Sequence, residues 1–251
     1  MRARAWAFFP AVAVAIFLGG VGQVAAAEAL DLGALLPGGS VSASGRIVQL
    51  FGALTVLSIA PGLLIMVTSF TRFAIALSFL RAGLGLQSTP ANLVLLSLAL
   101  FMTFFVMSPT LNEAWTGGVA PLMENRISEQ EALGRIATPF PRFMSAHVRE
   151  KDIRLFEEMR PGDANARVGA EIEFSVLVPA FMISELRRGF EIGFLIVVPF
   201  LVIDIVVGVV TMSMGMMMLP PATIALPAKV LFFILIDGWN LLVGSLIRSY
   251  G

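Results

Sequence analysis

Seven ionisable residues interrupt the apolar C-terminal third of this sequence: Glu185, Arg187, Arg188, Glu191, Asp204, Lys229 and Asp237. A charge at the centre of a helix in lipid costs about 2.5–3.5 kcal/mol on insertion scales, so such groups should face protein or water. The chemistry open to them is ion pairing or, for Asp204, proton or cation transfer. Asp204 is bracketed by V-P-F-L-V-I and I-V-V-G-V-V, which suits a relay carboxylate or a hydrogen-bonding residue at an interface. Glu185 and Arg187 are two apart and point different ways on one helix, so each needs a partner on another element. That pattern suggests a subunit interface.

Parts for other chemistry are missing from the sequence. His147 is the sole histidine and there is no cysteine, so a histidine-rich or thiolate metal site has no ligands. No phosphate-binding G-x-x-x-x-G-K-[ST] loop and no G-x-S-x-G nucleophile elbow occurs. Glu157 and Glu158 read as a solvated helix face. Neither an enzyme nor a bound cofactor is expected. The formal net charge is zero, so no global basic field invites nucleic acid.

These residues sit in a chain that is 57% apolar and only 14% charged, with a mean hydropathy of +0.89. A soluble domain carries about 25% charged residues, so this composition is that of a membrane protein. At the N-terminus, Arg2 and Arg4 precede an apolar stretch from Ala5 to Leu18, and Ala25-Ala26-Ala27 follows. This is the pattern of a secretory leader, residues 1–27, cleaved after Ala27. The alternative is an uncleaved anchor, for which the apolar core is short. Residues 28–45 include P-G-G-S-V-S-A-S-G and read as a flexible exported segment.

Two hydrophobic hairpins are expected, 46–112 and 174–251, giving about four apolar segments. The first span lies between Arg46 and Arg72, with Pro61-Gly62 as a kink, and the second ends at Met107-Ser108-Pro109. Between them, Arg72 and Arg81 occur with no acidic residue, which orients that connection to the cytoplasm. The third and fourth spans are expected at 190–212 and 222–247, joined by a methionine-proline stretch. Residues 113–173 hold 19 of the 34 charges and form an aqueous, periplasmic segment. There Phe140, Phe143, Met144, His147 and Val148 share one helical face, and Ile153, Phe156 and Met159 share another. Two short amphipathic helices follow from this. Either they pack on each other, or Phe143 and Phe156 anchor a neighbouring subunit.

Several stretches, in order, carry a resemblance: T-S-F-T-R-F (68–73), L-R-A-G-L-G (80–85), L-F-M-T-F-F-V-M-S-P (100–109), P-A-F-M-I-S-E-L (179–186), I-G-F-L-I-V-V-P-F-L-V-I-D (192–204), M-G-M-M-M-L-P-P-A-T-I-A-L-P-A-K (214–229) and D-G-W-N-L-L-V-G-S-L (237–246). Together they resemble the FliP family, called SctR in virulence systems, the core export-gate subunit of flagellar type III secretion. The resemblance implies an all-α membrane protein of bent helical hairpins, five copies of which join FliQ-like and FliR-like subunits in a helical ring in the bacterial inner membrane. It implies passage of unfolded flagellar substrates, with Met216, Met217 and Met218 as a pore gasket. Glu185 and Lys229 are expected at subunit interfaces, Glu185 against a base of the FliR-like partner. Methionine suits a gasket because its unbranched, polarizable side chain repacks against irregular surfaces. The rival is an ion-coupled channel or transporter with Asp204 as relay. Departures from the family pattern are Ala91 for a second proline, Arg187-Arg188-Gly189 for a Lys-Thr-Ala-like triplet, and Glu191 for a glutamine.

The leader gives a direct test. N-terminal sequencing of the assembled protein should read from Glu28, and a chain still carrying Met1 would overturn the cleavage.

Overall fold

The computed structural model describes residues 51–52, 54–55, 58–59, 62–86, 90–159, 172–215 and 220–251, and every regular element among them is helical. The leader with Ala27, the segment 28–45 and much of the first expected span lie outside the described residues. Contacts divide the chain into Met1–Leu54 and Thr55–Gly251, and the elements below belong to the second unit. They are α1 (Phe70–Gly83), α2 (Asn92–Ala114), a π-helical turn (Trp115–Val119), α3 (Ala120–Met123), α4 (Glu129–Ala137), α5 (Pro139–His147), α6 (Glu150–Glu158), α7 (Phe174–Ser213), α8 (Pro221–Leu235) and α9 (Gly238–Arg248).

Helix α1 is the hub. Phe70, Phe73, Ala76, Leu77 and Leu80 recur at helical spacing and are buried against Leu95, Ala99 and Met102 of α2, Phe200 of α7, Phe233 of α8, and Leu242 and Leu246 of α9. Helix α1 lies tightly along α7 because Gly189 and Gly193 present a G-x-x-x-G face to it. A Cβ on Gly193 would stand 2.7 Å from the Phe79 ring, closer than real contacts allow. The pair of small residues is therefore a packing requirement.

Helix α7 corrects the expected third span. Residues 190–212 are the C-terminal half of one continuous 40-residue helix, which runs through Pro179 and Pro199. At 1.5 Å per residue it is about 60 Å long, twice the hydrocarbon thickness of a bilayer. The N-terminal half carries Glu185, Arg187, Arg188 and Glu191; the C-terminal half exposes Phe194, Leu195, Ile205, Val206 and Val209. Helix α2 and its continuation, Asn92–Met123, form a second apolar helix long enough to cross a membrane. The expected fourth span is instead a broken one, α8 and α9 bent by 65°. The corner is Asp237, in the left-handed conformation at φ 52°, a geometry a short polar side chain tolerates. Among the described residues, two helices, or three with the bent pair counted as one span, thus have the length and composition to cross a membrane.

The charged segment folds against this frame. Helix α5 buries Phe143 and Met144 against Met107, Leu177 and Phe181, while Phe156 of α6 packs with Ile153, Val176 and Ala180. Both expected amphipathic helices are present, but each lays its apolar face on α7. Within the chain Phe143 is only 9% exposed, a core residue, and Phe156 is partly buried. A third short helix, α4, begins at Ser128, whose hydroxyl accepts from the Glu131 backbone N–H.

One polar network lies within these cores. Arg72 of α1 and Glu185 of α7 are 1% and 0% exposed and form a two-pronged ion pair, with Nε donating to Oε2 at 3.0 Å and Nη2 donating to Oε1. The Arg72 Nη1 donates to the Ser249 carbonyl and hydroxyl, each at 2.9 Å. Tyr250 donates its phenol proton to Glu185 and lies under the guanidinium, whose Cζ is 3.6 Å from the ring centroid. Burial, and then the Glu185 carboxylate, push that phenol above its ordinary value, so it remains a donor. His147 completes the contact, with Nδ1 2.7 Å from the Phe143 carbonyl and Nε2 3.1 Å from that of Tyr250. Within the chain, the Arg72 guanidinium engages both Glu185 carboxylate oxygens.

Removing one member of a buried pair strands the other charge, at a cost of about 3–5 kcal/mol. Arg72→Met should destabilise the detergent-solubilised chain by that amount in chemical denaturation. Arg72→Met combined with Glu185→Leu should recover much of the loss. Equal stabilities for the single variant and the parent would remove the pair from its central role.

Candidate functional site

The second charge centre sits where α1, α7 and α8 converge. Asp204 falls one helical turn after Phe200 on α7, and Lys229 one turn before Phe233 on α8, so the ionic and aromatic contacts stack along the same hairpin. Phe200 meets Phe232 and Phe233 at centroid distances of 6.3 and 6.2 Å. Above them the Lys229 Nζ lies 2.7 Å from the Asp204 Oδ2 and donates to the Gly83 carbonyl at 2.9 Å. Gly83 is the last residue of α1, where backbone carbonyls lack helical partners and the helix dipole favours a cation. The ammonium thus has an ionic acceptor and a helix-end acceptor. It is 6% exposed, whereas the Asp204 side chain is 41% exposed.

This arrangement ties three helices at one level. Asp204, which on sequence could be a relay or an interface group, has its carboxylate engaged by a base of the same chain. Lys229, expected at a subunit interface, is buried in this internal centre. No cluster of three or more His, Asp or Glu side chains suited to a metal ion occurs among the described residues.

Beyond Asp204 the hairpin leads to the methionines. Helix α7 ends at Ser213; Gly215 then takes φ 74° and donates its N–H to the Met212 carbonyl, a left-handed stop that glycine allows at little cost. Met212 and Met214 are each 69% exposed. Helix α8 begins on Pro221, the favoured first-turn position for proline. Met216, Met217 and Met218, which follow Gly215 in sequence, lie outside the described residues.

Sequence reasoning missed Arg72 and Tyr250. In sequence Arg72 reads as the boundary of a span, because charges usually end apolar runs. The signal that could have found it is Glu185, a buried acid that needs a base on another helix. Two departures from the family pattern also become intelligible: Arg187 and Glu191 pair with each other at 2.8 Å across one exposed helical turn, and Gly189 serves the close approach of α1.

The FliP family model matches residues 53–246, from before α1 into the last turn of α9. The chain is 62% identical over 213 residues to the Flagellar biosynthetic protein FliP of Agrobacterium fabrum, covering 84% of this chain and 86% of that protein. It is 58% identical over 210 residues to the protein of the same name from Rhizobium meliloti, covering 83% and 86%. To that of Bacillus subtilis it is 51% identical over 203 residues, covering 81% and 91%. The matched region contains the Arg72–Glu185 and Asp204–Lys229 pairs, the glycine face of α7 and the methionine-proline stretch, and on this ground the chain belongs to the FliP family.

Proposed function

We propose that this chain is a core pore-forming subunit of the flagellar type III protein export gate, passing unfolded flagellar substrates across the bacterial inner membrane. The observation that carries this reading is the α7–α8 hairpin. It is pinned by Asp204–Lys229 and Phe200, and its connection holds Met216, Met217 and Met218 between a glycine stop and a proline start. Flexible, polarizable side chains on such a connection suit a seal that conforms to substrates of any sequence. The relatives' name, flagellar biosynthetic protein, supplies the pathway. The exposed apolar face of α7 suits packing against further copies of this chain, five in a ring, and against FliQ-like and FliR-like subunits.

In the rival reading, Asp204 relays a proton or cation. The salt bridge to Lys229 favours a structural role instead. Asp204→Asn keeps an acceptor for Lys229, whose ammonium also retains the Gly83 carbonyl, while removing charge. Assembly and export of flagellar substrates should therefore stay near the parent level. Fully assembled protein with no export would favour the relay.

The gasket is tested by replacing Met216, Met217 and Met218 together with Ala. A sealing role leaves the yield of assembled complex intact and raises the permeability of liposomes carrying it to small ions. A packing role would cost about 2–5 kcal/mol per buried site and collapse the yield. Collapsed yield, or full yield with no leak, counts against the gasket.

A further inference from the structure

The sequence holds one histidine, His147, and one tyrosine, Tyr250, and the fold brings the two together. His147 is the last residue of α5, and its half-buried ring lies 4.5 Å from that of Phe143 and 5.1 Å from that of Tyr250, centroid to centroid. Both ring nitrogens face main-chain carbonyls. Nδ1 is 2.7 Å from the Phe143 oxygen on its own helix, and Nε2 is 3.1 Å from the Tyr250 oxygen, two residues beyond α9. A carbonyl oxygen can only accept a hydrogen bond. A neutral imidazole has one N–H and one lone pair, so it serves one of these carbonyls and turns a lone pair toward the other, whereas the imidazolium donates to both.

The charges around the ring come from four elements. From α1, the Arg72 guanidinium lies 3.6 Å from the centroid of the Tyr250 ring, but Glu185 of α7 neutralises it. On α5 itself, Arg142 is taken up by Glu113 of α2 at 2.6 Å. Arg149 follows two residues after the ring, with its backbone N–H on the Ser184 hydroxyl, and the exposed Arg188 of α7 adds a positive field at Tyr250. These last two oppose a charge on the imidazole, and water screens the exposed one. The end of a helix favours such a charge, and α5 places the ring there with two acceptors.

We propose that His147 is a pH-dependent clasp between the charged segment and the residues after α9. The doubly protonated ring makes both bonds; on losing a proton it gives up one of them, so the tie tightens in acid and slackens in base. Tyr250 also donates to Glu185 and lies under Arg72, so the clasp ends on the residue that serves the buried ion pair. Slackening therefore reaches the Arg72 network. The clasp requires neither a membrane position nor the pore role.

The test uses the full chain, purified in detergent with isotope-labelled histidine and tyrosine, each of which gives the NMR ring signals of one residue. As the pH rises over roughly 5 to 8, the range in which histidine side chains ordinarily change charge, the His147 ring should pass from two protonated nitrogens to one. The Tyr250 ring signals should shift in step. In His147→Gln the Tyr250 signals should stay fixed over the same range. A His147 ring whose protonation does not change, or Tyr250 signals that stay fixed while it does, would each overturn the clasp, and so would Tyr250 signals that move in His147→Gln as in the parent. The parent alone decides the first two outcomes even if His147→Gln fails to fold.

Discussion

The structure depends on a charge that has to be neutralised where water is absent. Arg72 and Glu185 lie in the α1–α7 interface at essentially zero exposure, and burying either alone would be prohibitive. Their fork fixes the rotation of α1 about its axis. The same rotation turns Phe73, Leu77 and Leu80 toward the apolar core and brings Ile75 and Phe79 onto the glycines of α7. A neutral contact there would tolerate sliding by a turn, whereas a bidentate pair has one geometry. The apolar cores supply the bulk of the stabilisation, and the ion pair selects the register in which they form.

Much of the fold was legible as periodicity. The faces of α5 and α6 were visible because charged surroundings make an apolar stripe stand out. What they pack against was not, since Phe143 and Phe156 carry the same pattern whether they meet a neighbouring subunit or α7. The uniformly apolar region gave the opposite difficulty. From residue 190 onward there is little contrast between faces, so the charges at 185–191 looked like a boundary, yet α7 continues through them because its N-terminal half is covered by protein. Pro179 and Pro199 are accommodated within one helix. The bend that does divide α8 from α9 is made by the left-handed Asp237.

The candidate site was legible in its residue types and illegible in its partners. Asp204 and Lys229 were both identified as charges in apolar runs, but 25 residues of separation and an intervening loop gave no reason to join them. The third participant, the Gly83 carbonyl, has no sequence signature at all, because any residue has that oxygen. Arg187, expected to need a partner on another element, finds Glu191 one turn along the same helix, because the i, i+4 neighbour is closer than any base or acid across the interface.

The network around Arg72 also sets an order in time. Its guanidinium meets Glu185 from 113 residues away in sequence and Ser249 from 177. At the roughly 5–20 residues per second of protein synthesis, about 9 to 35 seconds separate the making of Arg72 from that of Ser249. Until Glu185 has been made, α1 carries a cation near its start whose ionic partner does not yet exist. The remaining hydrogen bonds of the guanidinium wait for the residues after α9, so closure of this network is a late event in synthesis.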